Sequence, residues 1–298
     1  MTRVALVGLG EVGRTFAEDL RAAGIVAAGT LTAWDVAFTD PASPASLNAT
    51  ELVLTPAPSP AAAVAGADLV VSAVTAAQCV AAAESVAASM GSGAWFFDLN
   101  SSSPGHKQAA AAAVEASGGR YVEAALMSPI GPRRLASPFL LGGPHAQAFA
   151  DVAAGYGIGD VTVVADQVGR AAATKLCRSV VVKGLESLLS ESLLAARVFG
   201  VERDVLDSLP NILPPADWEA VAGYFISRSL QHGRRRSEEM AEAAATVAEA
   251  GIEPHMARAT VERQRWAAQF PQAVAAGSTI GMIDAVLAAM THDEETTA

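Results

Sequence analysis

The feature that most constrains this chain is a glycine turn set between an apolar run and a helical pattern. Val4-Ala5-Leu6-Val7-Gly8-Leu9-Gly10-Glu11-Val12-Gly13 spells G-x-G-x-x-G, and residues 14–23 continue with helical periodicity. In such a setting Gly8 permits the tight turn and Gly10 lets the backbone approach a pyrophosphate at the helix N-terminus. Gly13 lets helix and strand pack closely. The bare motif also occurs in α/β turns that bind no nucleotide, so its surroundings decide. A second apolar run, 31–34, ends at Asp35, 22 residues past Gly13 and suitably placed to accept from ribose hydroxyls. The next basic residue after it is Lys107, so no cation stands nearby for a 2′-phosphate. NAD is therefore expected, with NADP left open because main-chain donors or a distant arginine can hold a phosphate. Leu9, Glu11 and Val12 complete the candidate cofactor turn.

Short β-rich runs recur at 4–7, 31–34, 69–73, 94–98, 121–125 and 161–164, separated by helical or loop-like stretches. Strands alternating with helices imply an α/β Rossmann domain with a mostly parallel sheet, whose faces alanine-rich helices at 78–89 and 107–116 would cover. After residue 164 the strand signals stop. One long helix is expected over 169–198, then helices over 202–209, 217–231, 237–250, 254–270 and 278–290, punctuated by Gly200, Pro214-Pro215, Gly251 and Gly277. The expected organisation is a NAD(P)-binding domain over 1–164 and an all-helical substrate and dimerisation domain over 165–298. A chain of 298 residues, 51 % hydrophobic, can bury both cores.

Several classes are disfavoured. A net charge of −11 would repel a polyphosphate backbone, so no nucleic-acid partner is expected. Cys79 and Cys177 form no C-x-x-C pair, and His106, His145, His232, His255 and His292 lack metal-ligand spacing, so no metal centre is expected. The N-terminus runs straight into a strand rather than a signal peptide. The late uncharged stretch 266–283 is interrupted by Gln269, Pro271, Gln272 and Ser278, a poor membrane span. A cytoplasmic, reducing setting is expected.

Among 20 basic residues only Lys107, Lys175 and Lys183 are lysines, and the last two lie on the long helix. Lysine, unlike arginine, can exchange a proton when desolvated. At about 100° per residue, Lys175, Ser179, Lys183 and Glu186 share an arc of roughly 80°. Spacing alone leaves open whether this is a solvated stripe pairing Lys183 with Glu186 or a proton-transfer site. Val74, Thr75, Asn100, Ser101 and Ser102 fall at the carboxyl ends of strands, where open α/β sheets place cofactor and substrate. Ser128 fits an anion contact or a plain turn into Pro129. His232 and Arg234-Arg235-Arg236 fit capture of a substrate anion, or an ion-pair network with Glu238, Glu239 and Glu242.

Asp98-Leu99-Asn100-Ser101-Ser102-Ser103-Pro104-Gly105, and Gly169 six residues before Lys175, resemble the β-hydroxyacid dehydrogenase family, which includes 6-phosphogluconate dehydrogenases. The resemblance covers nearly the whole chain in the same order. It implies that Lys175 accepts a hydroxyl proton as hydride passes to nicotinamide, and assists decarboxylation where a β-keto acid results. Three departures stand out: Met127-Ser128-Pro129 replaces Ser-Gly-Gly, Ala171 replaces a glycine, and Ser179 replaces an asparagine. With Lys183-Gly184 and His232-Gly233-Arg234, the pattern looks like a divergent branch with a C-terminal domain of unknown function. The implied partner is a small hydroxy acid contacting Ser101, Ser102, Ser128, Ser179, Lys183 and His232. Imine reduction and dinucleotide binding without turnover are the alternatives. Apolar positions over 180–194 and 280–290 exceed what a lone helical layer needs to bury, which points to a homodimer.

Overall fold

The computed structural model describes residues 2–27, 29–211 and 217–297. It clusters into two compact units, Met1–Leu176 and Cys177–Ala298.

The first unit opens with β1 (Val4–Val7), α1 (Glu11–Ala22), β2 (Leu31–Trp34), α2 (Pro44–Glu51) and α3 (Pro60–Val64). It continues with β3 (Leu69–Ser72), α4 (Cys79–Ala87), β4 (Trp95–Asp98), α5 (Pro104–Ala116), β5 (Arg120–Leu126) and α6 (Ile130–Arg133). Then come β6 (Phe139–Gly142), α7 (Ala146–Ala153), β7 (Val161–Ala165) and α8 (Arg170–Phe199), whose first turns belong to this unit. Proline at the first helical position after Ser43, Ser59 and Ser103 starts α2, α3 and α5, with each serine hydroxyl capping a backbone N–H.

The seven strands form one sheet in the order β2-β1-β3-β4-β5-β6-β7, parallel apart from the antiparallel β5–β6 pair. Its two faces are apolar and separate. Successive strand side chains alternate between them, so Trp95 and Phe97 pack with Phe16, Phe139 and Phe149 on one side, while Phe96 packs with Val70, Val86 and Tyr121 on the other. This doubly covered sheet explains the uninterrupted apolar runs of its central strands.

Strand β6, Phe139–Gly142, is an addition to the sequence reading. Its short Phe-Leu-Leu run between Pro138 and Gly142-Gly143 carries little local signal, and its place depends on pairing with β5.

The second unit contains the rest of α8, then α9 (Glu202–Ser208), α10 (Trp218–Glu249), α11 (His255–Ala267) and α12 (Thr279–Thr297). Its core gathers Leu193, Leu206, Ile226, Leu230, Phe270 and Ile283. The helices expected over 217–231 and 237–250 are one continuous helix, α10. Gly233 within it is a contact rather than a break: a Cβ there would lie 2.4 Å from the Gln264 carbonyl oxygen and 2.9 Å from the Ala268 nitrogen. The punctuation read at Pro214-Pro215 lies outside the described residues. Among the described residues, no helix is long and apolar enough to cross a membrane.

Candidate functional site

The glycine turn lies where β1 hands over to α1, and its three glycines answer to different neighbours. Gly8 has φ +96°, and a Cβ on it would meet the Ala73 carbonyl oxygen at 2.3 Å. A Cβ on Gly13 would lie 2.1 Å from the Gly8 carbonyl oxygen. These two glycines are required by the fold itself. Gly10, the N-cap of α1, has ordinary φ of −74°, and a Cβ there would meet nothing within 4 Å. The protein does not require glycine at position 10, whereas a group pressed against the backbone there would. The first-turn N–H groups of α1, from Glu11 to Gly13, have no partner within the helix and form the positive end of its dipole. This donor set fits a dinucleotide pyrophosphate.

Asp35 ends β2 and locks onto the turn. Its carboxylate accepts from the Leu9 amide at 2.8 Å and from the Ala37 amide at 2.9 Å. A carboxylate has about four acceptor positions, so capacity remains for ribose hydroxyls. The side chain of Leu9 is buried and that of Val12 packs on the core, whereas Glu11 is exposed. The contribution these residues can offer a cofactor is through their backbone.

The turn adjoins the ends of β3 and β4. A Cβ on Gly8 would also come within 3.1 Å of a Val74 methyl group, and the Val74 amide donates to Asn100 Oδ1 at 2.7 Å. Asn100 Nδ2 donates to Ser72 Oγ at 2.9 Å, so both ends of this amide are spent aligning the two strand ends. Thr75 precedes the single turn Ala76–Gln78 without capping it through its side chain. Ser102 is buried, and its hydroxyl donates to the Ala76 carbonyl at 3.0 Å, tying the two loops together. Beside them, Ser101 Oγ accepts from Lys175 Nζ at 2.6 Å. Lys175, half-buried in the second turn of α8, is thereby joined to the glycine turn through Ser101, Asn100 and Val74. Ser128 lies apart from these contacts, its hydroxyl donating to the Pro129 carbonyl at 3.2 Å as a turn would.

A buried ionic cluster underlies this loop, and the sequence reading did not single it out. Lys107 is 1 % exposed and Asp98 fully buried; Nζ lies 2.8 Å from Asp98 Oδ1 and donates to the Asp98 carbonyl at 3.0 Å. Asp98 also accepts from Tyr121 Oη at 2.6 Å, the Cys79 thiol at 3.3 Å and the Asn100 amide at 2.9 Å. Burial is the largest single influence and opposes the Lys107 charge, but Asp98, Cys79 and Glu123 together outweigh it and hold the ammonium above its usual range. Burial first, then Asp98, pushes the Cys79 thiol up to about 12. The scarcity of lysine was the available signal for Lys107. Its alanine-rich helix read as simple sheet cover.

The remaining candidate residues belong to the second unit. Lys183 Nζ donates to Ser179 Oγ at 3.2 Å and pairs with Glu239 at 2.9 Å. The i,i+3 pairing of Lys183 with Glu186 is thus replaced by cross-helix pairs: Glu186 binds Arg236 and also accepts from Gln264 Nε2 at 3.3 Å. The solvated-stripe reading fails here because α10 and α11 bury this face, leaving Glu186 1 % exposed. Burial pushes the Glu186 carboxyl up, and Arg236 opposes that shift. In the arginine run, Arg235 pairs with Glu239 as an ion-pair network requires, while Arg236 turns inward to Glu186. His232 is half-buried on α10. Among the described residues, no group of three or more His, Cys, Asp or Glu side chains could hold a metal ion.

The comparisons agree with this architecture. Residues 3–152 match the model of the NAD binding domain of 6-phosphogluconate dehydrogenase, and residues 196–267 match a domain of unknown function, DUF1932. No curated protein sequence matches the chain. Among solved structures, a conserved hypothetical protein from Sinorhizobium meliloti 1021 is 34 % identical over 96 % of this chain and 95 % of its own, with a TM-score of 0.73. A conserved protein of unknown function, described as structurally similar to 3-hydroxyacid dehydrogenases, is 28 % identical over 90 % of this chain and 99 % of its own, TM-score 0.65. Mycobacterium tuberculosis 3-hydroxyisobutyrate dehydrogenase, solved with L-serine, shares the fold at 19 % identity over 91 % of this chain and 95 % of its own, TM-score 0.70. The chain therefore belongs to the 6-phosphogluconate dehydrogenase-like family of NAD(P)-binding proteins, in the branch whose helical region is a domain of unknown function.

Proposed function

We propose that this protein is a dehydrogenase that moves hydride between a nicotinamide cofactor and the carbinol carbon of a small hydroxy acid. The observation that supports this reading most is the 2.6 Å hydrogen bond between Lys175 Nζ and Ser101 Oγ, beside strand ends contiguous with the glycine turn. The bound nicotinamide would supply the hydride acceptor or donor. The first turn of α1 would hold the pyrophosphate and Asp35 the ribose hydroxyls, with Gly10 allowing close approach. Ser101 orients the Lys175 side chain, and in its neutral form Lys175 takes the substrate hydroxyl proton as hydride departs. General-base assistance of this kind contributes roughly 10²–10⁴-fold.

Lys175→Ala should lower turnover by that factor and leave NADH binding intact, because the glycine turn is untouched. A panel of hydroxy acids and imines, followed by NAD(P)H absorbance, identifies the substrate. Turnover of imines alone would favour the reductase alternative, and undiminished turnover in Lys175→Ala would sink the proton-transfer role. Asp35 favours NAD, so NADH should bind more tightly than NADPH in a fluorescence titration; the reverse order would overturn that preference. The reading includes a homodimer through the helical unit, supported by Val181 and Leu188 on α8, which are 63 % and 53 % exposed. Light scattering at twice the chain mass is the expected result.

A further inference from the structure

Glu123 is a carboxylate in the middle of the sheet, fully buried on β5, and nothing in the proposed chemistry uses it directly. Both of its oxygens are engaged with the start of α8. Oε2 accepts from the Gly169 amide at 2.7 Å and Oε1 from the Ala172 amide at 2.7 Å, with the Ala171 amide also directed at the group. These are amides that a helix leaves unpaired in its first turn, where a negative charge is also favoured by the dipole.

The surrounding backbone makes room for this carboxylate. Gly142 is the register partner of Glu123 on β6, and a Cβ there would come within 2.4 Å of Oε2. Gly169 has φ +107°, which turns the chain into α8 at the point where its amide meets Glu123. The charge is not isolated either: burial raises the Glu123 carboxyl, while the Lys107 ammonium and the α8 amides act against that rise.

Ala172 precedes Lys175 by three residues, less than one helical turn. A slip of one residue in this first turn would move Lys175 by about 1.5 Å along the axis and about 100° around it. The two partners of the Lys175–Ser101 hydrogen bond are thus each anchored by a buried carboxylate: Asp98 holds the loop that carries Ser101, and Glu123 holds the helix that carries Lys175. Lys107 acts electrostatically on both.

We propose that Glu123 is a positioning residue, whose carboxylate fixes the first turn of α8 and thereby sets Lys175 against Ser101. Its importance for turnover rests on the proton-transfer reading of Lys175, whereas its hold on the position of Lys175 does not. The test compares Glu123→Gln with the unaltered protein by trace acetylation, read by mass spectrometry at Lys175 with Lys183 as internal reference. In the variant, Lys175 should label at least about fivefold faster once it leaves Ser101, while Lys183 is unchanged. Turnover on the substrate found by the panel should fall about 10- to 100-fold, as misplacement of a catalytic group by about 1 Å does, with KM for NADH unchanged.

A folded Glu123→Gln protein with Lys175 labelling and turnover both within twofold of the original would overturn the proposal, even if its melting temperature were lower. Should Glu123→Gln not fold, Glu123→Asp keeps the charge, shortens the reach by one methylene, and is read the same way with a smaller expected effect. In the unaltered protein, the Gly169 and Ala172 amides should be protected from hydrogen exchange; exchange at the unprotected rate would itself overturn the anchoring. Full turnover in Lys175→Ala would remove the catalytic reading alone and leave the labelling result standing.

Discussion

Alanine at position 10 separates what the fold demands of the glycine turn from what a bound dinucleotide demands. At Gly13 a Cβ would sit 2.1 Å from the Gly8 carbonyl oxygen, whereas at Gly10 it would meet nothing within 4 Å. Relieving the first clash requires the turn or α1 to shift by about 1 Å, since carbon–oxygen contact is comfortable only well above 3 Å. Overpacking of that kind costs about 1–3 kcal/mol. At Gly10 two small terms oppose each other. Alanine is a poorer N-cap than glycine by some tenths of a kcal/mol, and it stiffens the unfolded chain by about 0.4–1 kcal/mol. Gly10→Ala should therefore melt within about 2 °C of the original, and Gly13→Ala several degrees lower. The binding order is different. A methyl group at position 10 occupies the space a pyrophosphate would enter, so NADH affinity should fall tenfold or more, about 1.4 kcal/mol. Thermal melts of both variants and a fluorescence titration with NADH decide the matter. If Gly10→Ala binds NADH within twofold of the unaltered protein, the cofactor assignment of the turn is refuted. If it melts as low as Gly13→Ala, the argument that the fold does not need Gly10 is refuted.

The thiols offer a second test: with Cys79 buried and pushed up to about 12, its thiolate is scarce at pH 8, while Cys177 is exposed. Iodoacetamide should modify Cys177 and spare Cys79 in the native protein, and comparable rates at both would contradict the buried cluster around Asp98. In the helical unit, Gly233→Ala drives a methyl group into the α11 backbone, 2.4 Å from the Gln264 carbonyl oxygen. It should destabilise that unit by about 1–3 kcal/mol, and an unchanged melt would return Gly233 to the role of a tolerated helix glycine.

What the sequence determined by itself was local, or carried by a motif. The G-x-G-x-x-G turn, the apolar runs of the central strands and the long helix bearing Lys175 all lie within short windows, where glycine sterics and side-chain periodicity act directly. Family resemblance singled out Lys175 as a proton-transfer residue, but its pairing with Ser101 was not legible, because the hydrogen bond joins residues 74 positions apart. Tertiary structure alone decided the rest. Glu123 reads as a polar residue in a strand until Gly169, 46 residues later, brings its amide to the carboxylate. Lys107 reads only as the first residue of a helix covering the sheet until packing places it on Asp98. Lys183 takes Glu239 rather than Glu186, and Glu186 takes Arg236 across 50 residues, because α10 covers that face. Strand β6 and the continuity of α10 through Gly233 likewise depend on neighbours distant in sequence. A buried charge is stable only with a partner, and that partner is supplied by folding rather than by adjacent residues.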